Sequence, residues 1–213
     1  MNKTFICKKC GTDLEERKYS ESENLCQECF IKDHIPTKTE NLNWIYVRNQ
    51  IINSQDEGFE SEDDFLEFIS NMHRIKRISN EIHIKDKDGS IKIKPLNLEN
   101  VDQLARDMKI TVGKWMIFES PQSIDESWMK IVNAIIQSKI IASAKVSTAI
   151  SKQKDYVICI YTDNYFNETE VMKVRNQLKE LGFNRILYYK PDIYTYLGIY
   201  SGTCNMPAYR YKA

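Results

Sequence analysis

AKVSTAISKQKDYVICIYT (residues 144–162) and RILYYKPDIYTYLGIY (residues 185–200) are the stretches whose reading decides the fold. Val, Ile, Tyr and Thr dominate AKVST and YVICIYT, so both read as strands, with AISKQK as the tip of the hairpin between them. RILYYKPD reads as a further strand that ends at Pro191, because proline has no N–H for the ladder. IYTYLGIY is expected to be a last strand, bent at Gly198. The second stretch holds five tyrosines in sixteen residues. Val or Ile fill a strand without needing a partner for a hydroxyl, so this density points to a use beyond core filling.

Outward from these strands, helical and extended segments are interspersed. ITVGKWMIFESP reads as a strand with Trp115 and Ile117 inward and Lys114 on the exposed side. Ser123 to Ser138 reads as a helix, with a Ser123/Glu126 capping box and a stripe of Ile124, Trp128, Ile131, Val132 and Ile135. FNETEVMKVRNQLKELG reads as another, capped by Asn167 or Thr169 and stopped at Gly182. Val171, Val174, Leu178 and Leu181 form its buried face, and Lys173, Arg175 and Lys179 its solvated one. LNLENVDQLARDMK is a third, capped by Asn97 or Asn100. EIHIKDKDGSIKIKPL is a hairpin turning at its Lys-Asp-Gly. DEGFESEDDFLEFISNMHRIKRI predicts a helix from the Ser61/Asp64 cap through Phe65, Leu66, Phe68, Ile69 and Met72, with His73, Arg74, Lys76 and Arg77 at its C-terminal end. NWIYVRNQII reads as a short strand or a segment laid against the main domain. The class is α+β.

The chain has 213 residues, enough for one well-buried domain plus a small appendage. Thirty basic residues balance thirty acidic ones, which excludes a wholly basic nucleic-acid coat and leaves room for a local anion site. No apolar run is long enough for a signal peptide or membrane span, so the expected location is cytoplasmic, without a membrane partner. Cys7-x2-Cys10 and Cys26-x2-Cys29 lie fifteen residues apart. Each pair can point two thiolates at one ion, and so short a segment needs such a staple to fold. The expectation is a closed, structural Zn2+ site on Cys7, Cys10, Cys26 and Cys29, with His34 as an alternative donor. The segment between the pairs has mixed charge, so a protein partner or domain capping suits this knuckle better than a nucleic-acid backbone. Residues 1–38 are expected to form the knuckle, 39–100 an α/β extension packed on the core, and 101–213 the main domain.

Lys145, Lys152 and Lys154, with Ser147 and Thr148, place three ammoniums and two hydroxyls within ten residues, a pattern that can neutralise and hydrogen-bond a phosphate. Lys190 and Asp192 flank Pro191 at a sharp exit toward a cleft. Tyr189, Tyr194 and Trp115 add hydroxyls and rings for stacking.

GKWMIFESPQSIDESWMKI, AKVST, YVICIYT and YYKPDIYTYLGIY resemble the Bles family, named for the basophilic leukaemia expressed protein, across about residues 110–202. That family has a fold similar to the eukaryotic cap-binding translation initiation factor. The resemblance implies a curved, mainly antiparallel sheet backed by helices, with RNA or nucleotide binding on its concave side. It also puts Lys145, Lys152 and Lys154 in phosphate-contacting roles and Trp115 in the place of one cap-stacking aromatic. The reading that follows is a nucleotide- or RNA-phosphate-binding module. One alternative is an enzyme acting on a phosphorylated substrate, with Lys145 or Lys190 as base or phosphate clamp and Asp192 orienting it. Some related bacterial proteins bear phosphothreonine-lyase labels, which implies a histidine acid, yet no histidine follows His83. The other alternative is an interaction factor that meets a protein partner through its zinc knuckle.

Overall fold

In the computed structural model, residues 5–11, 13–14, 19–20, 25–48, 73–137, 141–151 and 154–213 are described. The expected helix over Ser61–Met72 and the tip residue Lys152 lie outside them. The chain divides into two compact units interleaved in sequence: Met1–Ile52 with Ile117–Ile160, and Asn53–Met116 with Tyr161–Ala213. A mostly antiparallel sheet supplies the framework. Its strands are β5 (Trp44–Arg48), β9 (Gly113–Glu119), β10 (Ser143–Ser147), β11 (Tyr156–Thr162), β12 (Tyr188–Pro191) and β13 (Tyr211–Lys212), in the order β13-β12-β9-β11-β10-β5.

In the first unit, short strands β1 (Phe5–Ile6) and β2 (Asp13–Leu14) pair, as do β3 (Tyr19–Ser20) and β4 (Leu25–Cys26), and helix α1 (Gln27–Asp33) follows. A turn of 3-10 helix at Pro36–Lys38 leads toward β5. Thr37 donates its backbone N–H to Asp125 Oδ1 at 3.1 Å and its hydroxyl to the same carboxylate, which ties this connection to helix α3 (Ile124–Gln137). The Ser123/Glu126 cap expected there is not made: Ser123 Oγ donates to Glu119 Oε2 at 2.8 Å instead. β5 and β10 pair antiparallel, with Ala144 opposite Val47 and Val146 opposite Ile45. These four side chains are buried on the side where α3 packs. Because strand side chains alternate, Trp44, Tyr46, Lys145 and Ser147 stand on the other side.

In the second unit, β6 (Ile75–Ile78), β7 (Glu81–Lys85) and β8 (Ile91–Pro95) form a three-stranded antiparallel sheet. The β7–β8 hairpin agrees with the sequence, but Ile75–Ile78 corrects it. These residues pair with Glu81–Ile84 as a strand instead of ending a helix, because Ile75 and Ile78 find partners in Ile84 and Glu81. Helix α2 (Leu98–Asp107) is capped by Asn97, whose side chain accepts from the Asn100 N–H, and buries Val101, Leu104 and Ala105. Helix α4 (Glu168–Glu180) is capped likewise by Asn167 and buries Val171, Val174 and Leu178. Arg175 lies on the same buried stripe and is only 1% exposed, contrary to its expected solvated place. Its guanidinium donates to the main-chain oxygens of Phe183, Arg185 and Ala213 at 2.8 to 3.2 Å, one from each of its three nitrogens.

The stretch expected as a last strand is instead α5 (Asp192–Tyr196). Pro191 ends β12 and serves as the N-cap, and Gly198, at φ 62°, closes the turn with the Ile199 N–H donating to Tyr194 O at 2.8 Å. The Ile-Tyr-Thr-Tyr-Leu alternation that suggested a strand places Ile193, Tyr194 and Leu197 inward on this short helix. Among the described residues no helix is long and apolar enough to cross a membrane.

Candidate functional site

The four knuckle cysteines come together. Their sulfurs all lie within 4.8 Å of one another, and Cys10 Sγ is 3.7 Å from Cys26 Sγ. Four thiolates around one ion at about 2.3 Å stand about 3.8 Å apart when tetrahedral, so the set fits a metal ion. Backbone geometry supports the cluster. Gly11 N–H donates to Cys7 O at 3.0 Å, Cys26 N–H points at Cys7 Sγ at 3.3 Å, and Cys29 N–H points at Cys26 Sγ at 3.4 Å. The Cys26 and Cys10 backbone groups pull the Cys7 thiol down to about 6, while burial pushes Cys29 up to about 12. His34 is outside this set: its Nδ1 is 2.9 Å from Phe30 O and its ring stacks on Phe30. These four residues can hold one metal ion.

The expected phosphate ligands fall into two groups, one in each unit. In the first unit, Lys145 stands directly opposite Tyr46 in the β5–β10 ladder. Its ammonium lies 4.3 Å from the Trp44 ring centre and 5.6 Å from that of Tyr46, and the Tyr46 ring is 59% exposed. The sequence analysis singles out neither Trp44 nor Tyr46, although their spacing of two puts both rings on one side of β5. Ser147 and Thr148 are buried, and both hydroxyls serve the backbone: Ser147 Oγ accepts from the Val157 N–H at 3.0 Å, and Thr148 Oγ1 donates to Leu42 O. Lys154 is exposed.

In the second unit, β12 pairs antiparallel with β9, so that Lys190 is directly opposite Lys114 and Tyr189 is opposite Trp115. The two pairs point to opposite sides. Trp115 and Tyr189 are fully buried: Trp115 Nε1 donates to Val171 O at 3.0 Å and Tyr189 Oη is bonded to Thr162 Oγ1 at 2.5 Å. Burial pushes the Tyr189 phenol up. Tyr194 is buried too, its phenol pushed up to about 12 by burial. These three rings are built into the core.

Lys114, expected on an exposed face, is 9% exposed, and Lys190 is 4% exposed. Lys114 Nζ donates to Asp192 Oδ1 at 2.6 Å, lies 3.5 Å from Thr195 Oγ1 and is 5.7 Å from the Tyr161 ring centre. Lys190 Nζ sits 3.7 Å over the Tyr200 ring, which is itself half exposed. Asp192 therefore joins Lys114 as an ion pair, where the sequence had suggested that it orients Lys190. Neither Lys114 nor Tyr200 was singled out as a ligand residue, and the chain reversal that produces their neighbourhood, α5 with its glycine stop, was not foreseen.

The family model for basophilic leukemia-expressed protein Bles03 matches residues 15–198. The chain belongs to the Bles03 family. Among solved structures, this Bles03-family chain is similar to a schistosome eIF4E crystallised with m7GpppA and 4E-BP, at 14% identity, with 80% of this chain and 95% of that chain covered and a TM-score of 0.39. It is also similar to Ascaris suum eIF4E-3 in complex with an m2,2,7G cap, at 15% identity, 84% and 97% coverage and a TM-score of 0.38. C. elegans eIF4E-3, solved with the 4E-binding protein Mextli and a cap analog, matches at 17% identity, 70% and 87% coverage and a TM-score of 0.35.

Proposed function

We propose that this chain is a non-enzymatic binding module for nucleotide or RNA phosphates, held at its N-terminal end by a structural zinc ion. The reading rests above all on one observation: the Lys145 ammonium lies against the rings of Trp44 and Tyr46 on the side of β5 and β10 away from α3. Rings that offer a π-face to any base, with an ammonium beside them for the backbone, are how single-stranded nucleic acid is held without sequence readout. Lys190 over Tyr200 repeats that chemistry in the second unit. Lys154, and Lys152 two positions before it in sequence, would add charge for the strand. The balanced overall charge argues for a local contact of a few phosphates instead of a long basic track.

The enzymatic alternative has less to draw on. Proton abstraction by Lys190 needs a group to orient it, and Asp192 is engaged by Lys114. Zinc suits the knuckle because four thiolates close the shell and leave no position for substrate. That makes the metal a folding element, and the knuckle surface is then available to a protein partner.

Isothermal titration of the full chain with mononucleotides and short single-stranded RNA tests the reading. Saturable binding that is lost when Lys145 and Lys190 are both changed to Ala supports it. No binding by the unaltered protein, or binding indifferent to that double change, defeats it.

A further inference from the structure

We infer that Arg77 is the positioning residue for Tyr200: its guanidinium fixes the loop that presents the Tyr200 ring as a stacking face for a base. The inference rests on the nucleotide-binding reading above and adds to it the residue that sets this ring in place. Arg77 leaves β6 and meets, 120 positions later in the chain, the segment that follows α5. Its Nε donates to Leu197 O at 2.8 Å and its Nη2 to Gly198 O at 3.0 Å. Its Nη1 donates to Thr203 O at 3.2 Å and to Ser79 O at 2.7 Å. Three of these four acceptors belong to one loop and flank Tyr200 on both sides.

The loop is closed on itself by Thr203. The Thr203 hydroxyl accepts from the Tyr200 N–H at 3.0 Å, and the Thr203 N–H donates to Tyr200 O at 3.1 Å. That knot sets the internal shape of the loop, and Arg77 ties it to β6. Asn80, in the turn after β6, holds the same segment further on by accepting from the Asn205 N–H at 3.0 Å. An arginine beside the last carbonyls of a helix is ordinarily a cap. Capping accounts for Leu197 and Gly198, but Thr203 O and the Asn205 N–H lie beyond α5, on the far side of Tyr200. The bond to Thr203 O is also at the exposed surface, where water would serve the carbonyl as well. What the guanidinium adds there is a fixed geometry, which a planar fork supplies and water does not.

The residue so placed is an aromatic ring that is half exposed, with the Lys190 ammonium 3.7 Å from its centre. A base stacks on such a ring whatever its identity. A ring already held in place spares the ligand the cost of ordering it, so the anchor converts directly into affinity. Arg77 acts through Tyr200 and does not itself touch the base.

The experiment is a double-mutant cycle on the full chain, with a labelled single-stranded oligoribonucleotide as the probe. Tyr200→Ala should weaken binding about 5- to 150-fold, the loss of one stacked base. Arg77→Met should weaken it about 2- to 12-fold, the cost of ordering one side chain on binding, and should add no further loss in the Tyr200→Ala background. Arg77→Lys, which meets fewer of the carbonyls, should fall between Arg77→Met and the unaltered chain. Should Arg77→Met not fold, Asn80→Ala, which frees the other anchor of the loop, takes its place in the cycle. A 19F signal from 3-fluorotyrosine at position 200 reads the placement without any ligand: Arg77→Met should move it toward its unfolded position while a denaturant melt still shows a folded chain. An equal loss in both backgrounds, unchanged binding by Arg77→Met, or an unmoved 19F signal overturns the inference and leaves nucleotide binding standing. Tyr200→Ala that binds like the unaltered chain removes the stacking face and the inference with it, and leaves the Lys145 contact in the first unit as the binding site. If the unaltered chain binds no oligoribonucleotide, the nucleotide-binding reading itself fails, and this inference falls with it.

Discussion

Changing Tyr46 to Ala separates the cost to folding from the cost to binding in the first unit. The ring is 59% exposed on the side of β5 opposite the buried Ile45 and Val47, so it contributes little apolar burial. Its contact with the Lys145 ammonium, at 5.6 Å from the ring centre, adds about 0.5–1 kcal/mol at such an exposed place. Loss of a good strand former adds up to about 1 kcal/mol more. The expected loss of stability is therefore about 1–2 kcal/mol, well within what a domain of this size tolerates. Stacking of one base on the ring contributes about 1–3 kcal/mol to binding, so the affinity for a single-stranded oligonucleotide should fall about 5- to 150-fold. Fluorescence anisotropy with a labelled oligonucleotide reads this, alongside a denaturant melt to confirm folding. Tyr46→Phe keeps the π-face and should stay within about twofold of the unaltered protein. Lys145→Gln should instead flatten the salt dependence, by about 0.7 in the log-log slope if one single-strand phosphate contact is lost. A folded Tyr46→Ala variant that binds like the unaltered chain refutes the stacking role.

Mass spectrometry of the native protein should find one zinc ion per chain, and a chelator or Cys26→Ser should release it and unprotect the amides of α1 to hydrogen exchange; a metal-free protein with the same protection contradicts the zinc assignment. Arg175→Met removes the donor to the Phe183 and Arg185 carbonyl oxygens, while Ala213 O keeps the Leu187 N–H at 2.7 Å, and should destabilise the chain by about 2–5 kcal/mol in a denaturant melt; Arg175→Lys should recover little, because one ammonium on a flexible stem does not reproduce the planar fork. Burial holds the phenols of Tyr165, Tyr189 and Tyr194 above the ordinary tyrosine value, to about 12 for Tyr194. The unfolded chain therefore releases these protons first, so stability is full below about pH 10 and falls as pH rises beyond it. Melting temperatures that stay flat from neutral to strongly alkaline pH would contradict that.

Local signals were legible where they depend on neighbours along the chain. The β10–β11 hairpin, α3, and α4 with its Asn167 cap follow from residue type and period, and the two Cys-x2-Cys turns announce their own meeting. What was missed depends on the path of the chain elsewhere. Arg175 stands four residues after Val171 and three before Leu178, squarely on the buried stripe, but its charge argued for the surface until the 183–185 turn and residue 213 supplied carbonyls. Asp192–Tyr196 alternates like a strand, and only the Pro191 start and the Gly198 stop mark it as a helix of five residues. Lys114 is covered because that helix and Tyr200 return over β9 and β12, a long-range event that strand alternation cannot encode.

The buried cations of the second unit divide by chemistry, and the division bears on function. Arg175 has carbonyl acceptors on its fork and a place on a core helix stripe, so its charge is accounted for by the fold itself. Lys114 and Lys190 are point charges on flexible stems, set side by side on the face of β9 and β12 away from Trp115 and Tyr189. Lys114 meets the Asp192 carboxylate and the Thr195 hydroxyl, and Lys190 meets the Tyr200 ring. Adjacent positions of the same two strands therefore differ: one pair is sealed into the core, and the next directs its charges to a carboxylate, a hydroxyl and an aromatic ring.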